Sequence, residues 1–116
     1  MKTLPASNTY ELLLWVLRLR RRVCVTGASM LPDLAAGDEL LVDPRAYRQQ
    51  KPQIGDVVIA QRPDRSGIEI VKRVTAVTEN DRYFLTGDNP HASTDSRHFG
   101  PVGANHILGK VTSKFG

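Results

Sequence analysis

With 116 residues, 41% hydrophobic and 24% charged, the chain suits one globular domain with a single modest core and is too short for two. Its one cysteine, Cys24, excludes an internal disulfide framework and any multi-cysteine metal site, which fits a reducing compartment; set in VCVT, it is expected to be a small core residue. The formal net charge of +4 equals the cluster Arg18, Arg20, Arg21 and Arg22, and the remainder is balanced and lacks the interleaved aromatic and basic residues of a base-stacking surface, so nucleic acid is not an expected partner.

The first element precedes those arginines. In YELLLWVLRLRRR the uninterrupted apolar run, Leu12 to Leu17, is far shorter than the roughly 20 residues needed to span a bilayer. The arginines follow the apolar run, whereas a secretory signal would carry its charges ahead of it. Leu12, Trp15, Val16 and Leu19 recur at helical spacing, and Ser7 or Asn8 ahead of Glu11 offers a cap. Residues 1–22 are therefore predicted to form a short amphipathic helical segment that packs on the domain. The alternative role is an interfacial anchor whose arginines face anionic lipid.

Beyond residue 22 the pattern turns extended, with β-branched runs punctuated by Gly, Pro and Asp. Strands are predicted at Val23–Thr26, Glu39–Val42, Asp56–Gln61, Ile68–Val77, Tyr83–Thr86 and His106–Val111. No long helix alternates with them, which argues against a parallel βαβ sheet and for a mainly β domain over residues 23–116. Pro44 to Gln53 reads as a polar turn or loop, and PDRSG, residues 63–67, as a hairpin turn.

Two residues in this scaffold carry chemistry. Ser29 lies in GASMLPDL, which taken alone is ordinary turn composition. Lys72 lies in the apolar run Ile68 to Val77, where alternation puts Ile70, Lys72 and Val74 on one face and Val71, Arg73 and Thr75 on the other. A lysine there is either an edge-strand guard against aggregation or a desolvated amine. An unperturbed amine, with a pKa near 10.4, is neutral in about one molecule in a few thousand at pH 7, and burial raises that fraction. A neutral Lys72 could take the proton of Ser29 without any histidine.

The boxes GASMLPDLAAGDELLVDP, PQIGDVVIAQRP, IVKRV, GDNPHASTDSRHFGPV and ILGKV, in that order, resemble the successive boxes of the type I signal peptidase family of serine proteases, from about Val25 to Val111. The resemblance implies a compact antiparallel β-sheet or partly open barrel of the signal peptidase type, no cofactor and no metal. It makes Ser29 the nucleophile and Lys72 the general base, with Ser93 as the hydroxyl that orients the lysine. Asp95 and Arg97 match a structural ion pair bracing the loop, with Arg73 nearby, and Met30 matches a residue that shapes the substrate pocket. The Ser29 N–H is the natural first oxyanion donor. Some family members add a serine hydroxyl two residues earlier, where this chain has Gly27.

Two departures narrow the expectation: there is no membrane-spanning helix ahead of the serine box, and Arg73 to Gly87 is too short for the extra domain some members insert. The expected molecule is a minimal, cytoplasmic catalytic core. Its last box most resembles the group that removes the leader of nickel-type superoxide dismutase, so that proprotein is the expected partner. The alternative within the family is a signal peptidase acting on exported proteins, held peripherally at the membrane by the helix. Outside the family, the β scaffold could bind peptides by edge recognition without catalysis, although such a binder would not need Ser29, Lys72 and Ser93. A nickel carrier built on His91, His98 and His106 with Asp88 and Asp95 would lack any short ligand repeat.

Overall fold

The structure, a computed structural model, describes residues 4–115. Helix α1 (Thr9–Val16) leads into six strands, β1 (Arg21–Cys24), β2 (Glu39–Asp43), β3 (Val57–Gln61), β4 (Glu69–Val77), β5 (Tyr83–Thr86) and β6 (Ile107–Phe115), with the four-residue helix α2 (Ser96–Phe99) before β6. The strands form one sheet in the order β1-β2-β6-β3-β4-β5, every neighbouring pair antiparallel. The sheet is curled but not closed, so the expected mainly β, partly open architecture is the observed one. Strand positions follow the sequence closely, except that β1 begins and ends two residues earlier and β6 runs four residues further than predicted.

Both faces of the sheet are covered, which is why β3 reads as an unbroken apolar VVIA rather than an alternating strand. Val57 and Ile59 join Leu40, Val42 and Val111 on one face, with Val25, Met30 and Leu34 from the serine loop packed over them. Val58 and Ala60 join Val74, Tyr83, Leu85 and Val102 on the other. Lys72 pairs with Val58 and Arg73 with Val57, so the two basic neighbours leave β4 on opposite faces, as alternation requires.

Two expectations need correction. The capping signal is real, because Asn8 Oδ1 accepts from the Glu11 N–H at 2.9 Å, but the predicted apolar stripe does not pack inward. The only buried residue of α1 is Glu11, which accepts from Arg20 and from the Thr112 hydroxyl, while Tyr10, Leu13, Val16 and Leu17 are all more than half exposed. An anchored carboxylate fixes its side of the helix against the domain, with Leu14 and Trp15 half-buried beside it, and leaves the other apolar side chains facing out. The arginines are also not a free patch: Arg20, Arg21 and Arg22 pair with Glu11, Glu69 and Glu39, and the last two arginines belong to β1. Cys24, expected in the core, is exposed, because its side chain lies on the solvent side of an edge strand.

Candidate active site

The chain leaves β1 into a loop that is pinned at its base and at its floor. Val25 N–H donates to Asp38 O at 2.8 Å and Gly37 N–H returns to Val25 O at 2.9 Å, so entry and exit are held together. Met30 and Leu34 are buried beneath, one turn apart and joined by a Leu34 N–H to Met30 O bond of 2.9 Å. Gly27 sits at φ +78°, a left-handed conformation that admits glycine without strain and bends the chain just ahead of Ser29. Apolar anchors on both sides thus leave Ser29 half-buried on a fixed turn. Among the described residues its N–H makes no hydrogen bond and is free to serve an oxyanion.

Ser29 and Lys72 line the same open cleft of about 380 Å³, together with Gly27 and Met30. Its walls come from residues 23–30 on one side and from Glu69–Lys72 of β4 on the other. Lys72 is 4% exposed and forms no hydrogen bond with a described residue. Desolvation pushes its pKa below the ordinary lysine value; Asp95 opposes this, and the positive charges of Arg97 and Arg62 add to it. The cleft is therefore lined both by a serine and by an amine that burial drives toward its basic, neutral form.

The GDN segment that follows β5 clamps the serine turn from the other end of the sequence. Asn89 N–H donates to Ser29 O at 2.8 Å, and Asn89 Nδ2 to Ala28 O at 3.0 Å. Gly87 passes so close that a Cβ there would lie 2.5 Å from Ser29 O. Beneath, the buried guanidinium of Arg73 donates to both oxygens of Asp88, at 3.0 and 2.9 Å, and to Asp33 at 2.8 Å. Three segments, the serine loop, β4 and the GDN loop, are thereby joined through one cation. Sequence reasoning assigned no role to Asp33 or Asn89 and weighed Asp88 only as a metal ligand; the available signal was their place beside Pro32 and Gly87 in the two boxes.

The expected Asp95–Arg97 pair is present, at 2.6 Å between Arg97 Nη2 and Asp95 Oδ2. Burial alone would raise the Asp95 pKa, but hydrogen bonds from Arg97, from the Ser93 hydroxyl and from the Gly87 and Arg97 amides outweigh it and hold the carboxyl well below the usual carboxylate range. Asp95 also caps α2, accepting from the Arg97 N–H at 3.0 Å. Ser93 departs from its expected role. Its hydroxyl donates to Asp95 and accepts from the Gly87 N–H at 3.2 Å, rather than bonding Lys72, because the fully buried carboxylate is the stronger acceptor. Arg73, expected near the Asp95 pair, instead serves Asp88 and Asp33. His91, His98 and His106 lie in separate turns, and no three metal-ligating side chains gather among the described residues.

The model of the family described as signal peptidase, peptidase S26, matches residues 7–79 and 76–115. The chain belongs to the signal peptidase S26 family of peptidases. Among curated relatives, the mitochondrial ATP-independent inner membrane protease subunit 1a of Arabidopsis thaliana is 36% identical over 75% of this chain and 65% of its own. The mitochondrial inner membrane protease subunit 1 of Xenopus tropicalis is 32% identical over 77% of this chain and 65% of its own. The signal peptidase I V of Bacillus subtilis is 25% identical, over 76% and 81%. The chain thus spans a little under two thirds of the length of the Arabidopsis and Xenopus relatives. Among the described residues no helix is long and apolar enough to cross a membrane.

Proposed function

We propose that the protein is a Ser-Lys endopeptidase that removes N-terminal leaders from precursor proteins presented at a membrane surface. The observation that carries this reading is the shared cleft in which half-buried Ser29 faces the same space as desolvated Lys72. Neutral Lys72 takes the Ser29 proton as Oγ attacks the scissile carbonyl, and the Ser29 N–H supports the oxyanion. The lysine then protonates the leaving amine, releasing the mature protein. Water deprotonated by Lys72 cleaves the ester and frees the leader.

Substrate binds extended. Among the described residues the edge of β1 away from β2 is unpaired, and β4 pairs with β5 only from Arg73 onward, so Glu69–Lys72 also present a free edge to the cleft. Four antiparallel pairings separate β1 from β4, so the two edges run in the same direction and form parallel rails. A segment lying between them adds a strand to each.

The membrane setting is supported by the outward apolar side of α1, Tyr10, Leu13, Val16 and Leu17, and by relatives named as inner membrane proteases. The narrower expectation, the proprotein of a nickel-type superoxide dismutase, rests on the form of the box GDNPHASTDSRHFGPV and stands as a second substrate. Purified protein incubated in parallel with a vesicle-bound preprotein and with a nickel superoxide dismutase precursor tests both, the product N-terminus being read by mass spectrometry. One discrete cut in the preprotein, absent with Ser29→Ala, is the expected result. A cut confined to the dismutase precursor reverses the substrate order, and an identical outcome for wild type and Ser29→Ala disproves the enzyme.

A further inference from the structure

The rails of the cleft are joined at one end. Arg21 in β1 donates to Glu69 in β4 through two nitrogens, at 2.7 and 3.4 Å, although β1 and β4 stand at positions one and five of the sheet order. The sheet therefore curls until its first strand comes opposite its fifth, and this ion pair crosses the gap between them. Because the rails are parallel, their chemistry lies at the other end: Ser29 follows β1, and Lys72 lies three residues beyond Glu69. A peptide seated between two strands needs about 9.6 Å from rail to rail, two spacings of about 4.8 Å, which two long side chains meeting head to head can bridge but which a covering turn would block.

We propose that the Arg21–Glu69 pair is the far stop of the substrate cleft and sets the length of the segment recognised ahead of the scissile bond. Three residue steps from Lys72 to Glu69 span about 10 Å, so about four extended substrate residues fit before the next must pass the ion pair. Residues beyond the fourth meet Arg21 and Glu69 in place of free backbone edge and gain no strand pairing. The pair is suited to this work because it is half in solvent, with side-chain exposures of 49% and 38%, and exposed pairs contribute little to stability, so it limits the cleft without being needed for the fold.

This inference rests on the reading of the cleft as a peptide-binding site, and its test separates the two. Uncharged Ala/Val peptides carrying one to eight residues ahead of an Ala-Ser bond are measured for affinity on a Ser29→Ala background and for kcat/KM with Ser29 intact. With Arg21 and Glu69 both present, affinity rises through the fourth residue and then levels. In Glu69→Gln and Arg21→Gln the fifth and sixth residues each bring a further gain of about twofold or more, and the exchanged pair Arg21→Glu with Glu69→Arg restores the plateau. Identical length profiles in all four proteins overturn the stop, as does an absence of binding at every length. A bracing role alone would lower affinity equally at every length. Binding with the expected profile but no cleavage keeps the stop and removes the enzyme.

Discussion

Asn89 holds Ser29 by its carbonyl, at 2.8 Å, across sixty residues of chain. The same residue's Nδ2 donates to Ala28 O at 3.0 Å, and this second bond holds the peptide unit whose Ser29 N–H must face a developing oxyanion. Gly87 lies against the Ser29 carbonyl, leaving no room for a side chain. Gly87→Ala is expected to displace the serine turn, costing about 1–3 kcal/mol of stability and lowering kcat much more than it raises KM. Thermal unfolding and steady-state kinetics on the same preparation check this.

Ser29→Ala and Lys72→Met are each expected to lose about 10³-fold or more of the cleavage rate, and the double variant little beyond that, since the two act as a unit. Lys72→Arg is equally inactive, because a guanidinium does not give up its proton. Unchanged thermal midpoints accompanying these losses separate chemistry from folding.

Lys72 is held below the ordinary lysine pKa by desolvation, and only its neutral form accepts the Ser29 proton. kcat/KM is therefore expected to rise with pH through the lowered value and level above it; a flat profile between about pH 6 and 10 contradicts a lysine base. The same shift acts on stability. Between the lowered folded value and the ordinary value of 10.5 the unfolded chain binds more protons, so this residue makes the fold more stable as pH rises through that window. Lys72→Met should remove that slope from a plot of unfolding free energy against pH.

Asp95 acts with the same sign in the acid range. Its folded pKa lies below the ordinary 3.8, so its contribution is complete above that value and lost as pH falls through the acid range. Asp95→Asn should lower stability at neutral pH and flatten the acid limb of a midpoint-against-pH curve, because the carboxylate that Arg97 and Ser93 bind is then gone.

Arg73 is the other buried hub. Arg73→Met leaves Asp88 and Asp33 facing each other with no cation between them, and a loss of about 3–5 kcal/mol is expected. Asp88→Asn with Arg73 retained should cost less, since Asp33 still neutralises the guanidinium. Urea midpoints of the two variants rank the effects.

The regular parts of this fold were legible because their causes are local. Alternation placed Lys72 and Arg73 on opposite faces of β4, and the bounds of β5 were read correctly at Tyr83 and Thr86. Errors arose where a partner far along the chain decided the outcome. The inward side of α1 is set by Glu11 meeting Arg20 and Thr112, which outweighs the helical spacing of Leu12, Trp15 and Val16. Cys24 looks like a core residue among valines, yet its strand lies at the sheet edge. For the site, Ser29 and Lys72 could be named from their boxes, but nothing local indicated that the Ser93 proton belongs to Asp95, or that Asp33, forty residues before Arg73, shares its guanidinium.

The strand farthest along the chain, β6, lies inside the sheet between β2 and β3. A ribosome therefore delivers the nucleophile early and the strand that seats it late: β2 and β3 have no common neighbour until residues 107–115 have emerged. Such long-range pairing makes folding slow for a domain of this size. For the proposed peptidase it would also delay the onset of proteolysis, because a partly made chain carries Ser29 and Lys72 on segments that nothing yet holds together.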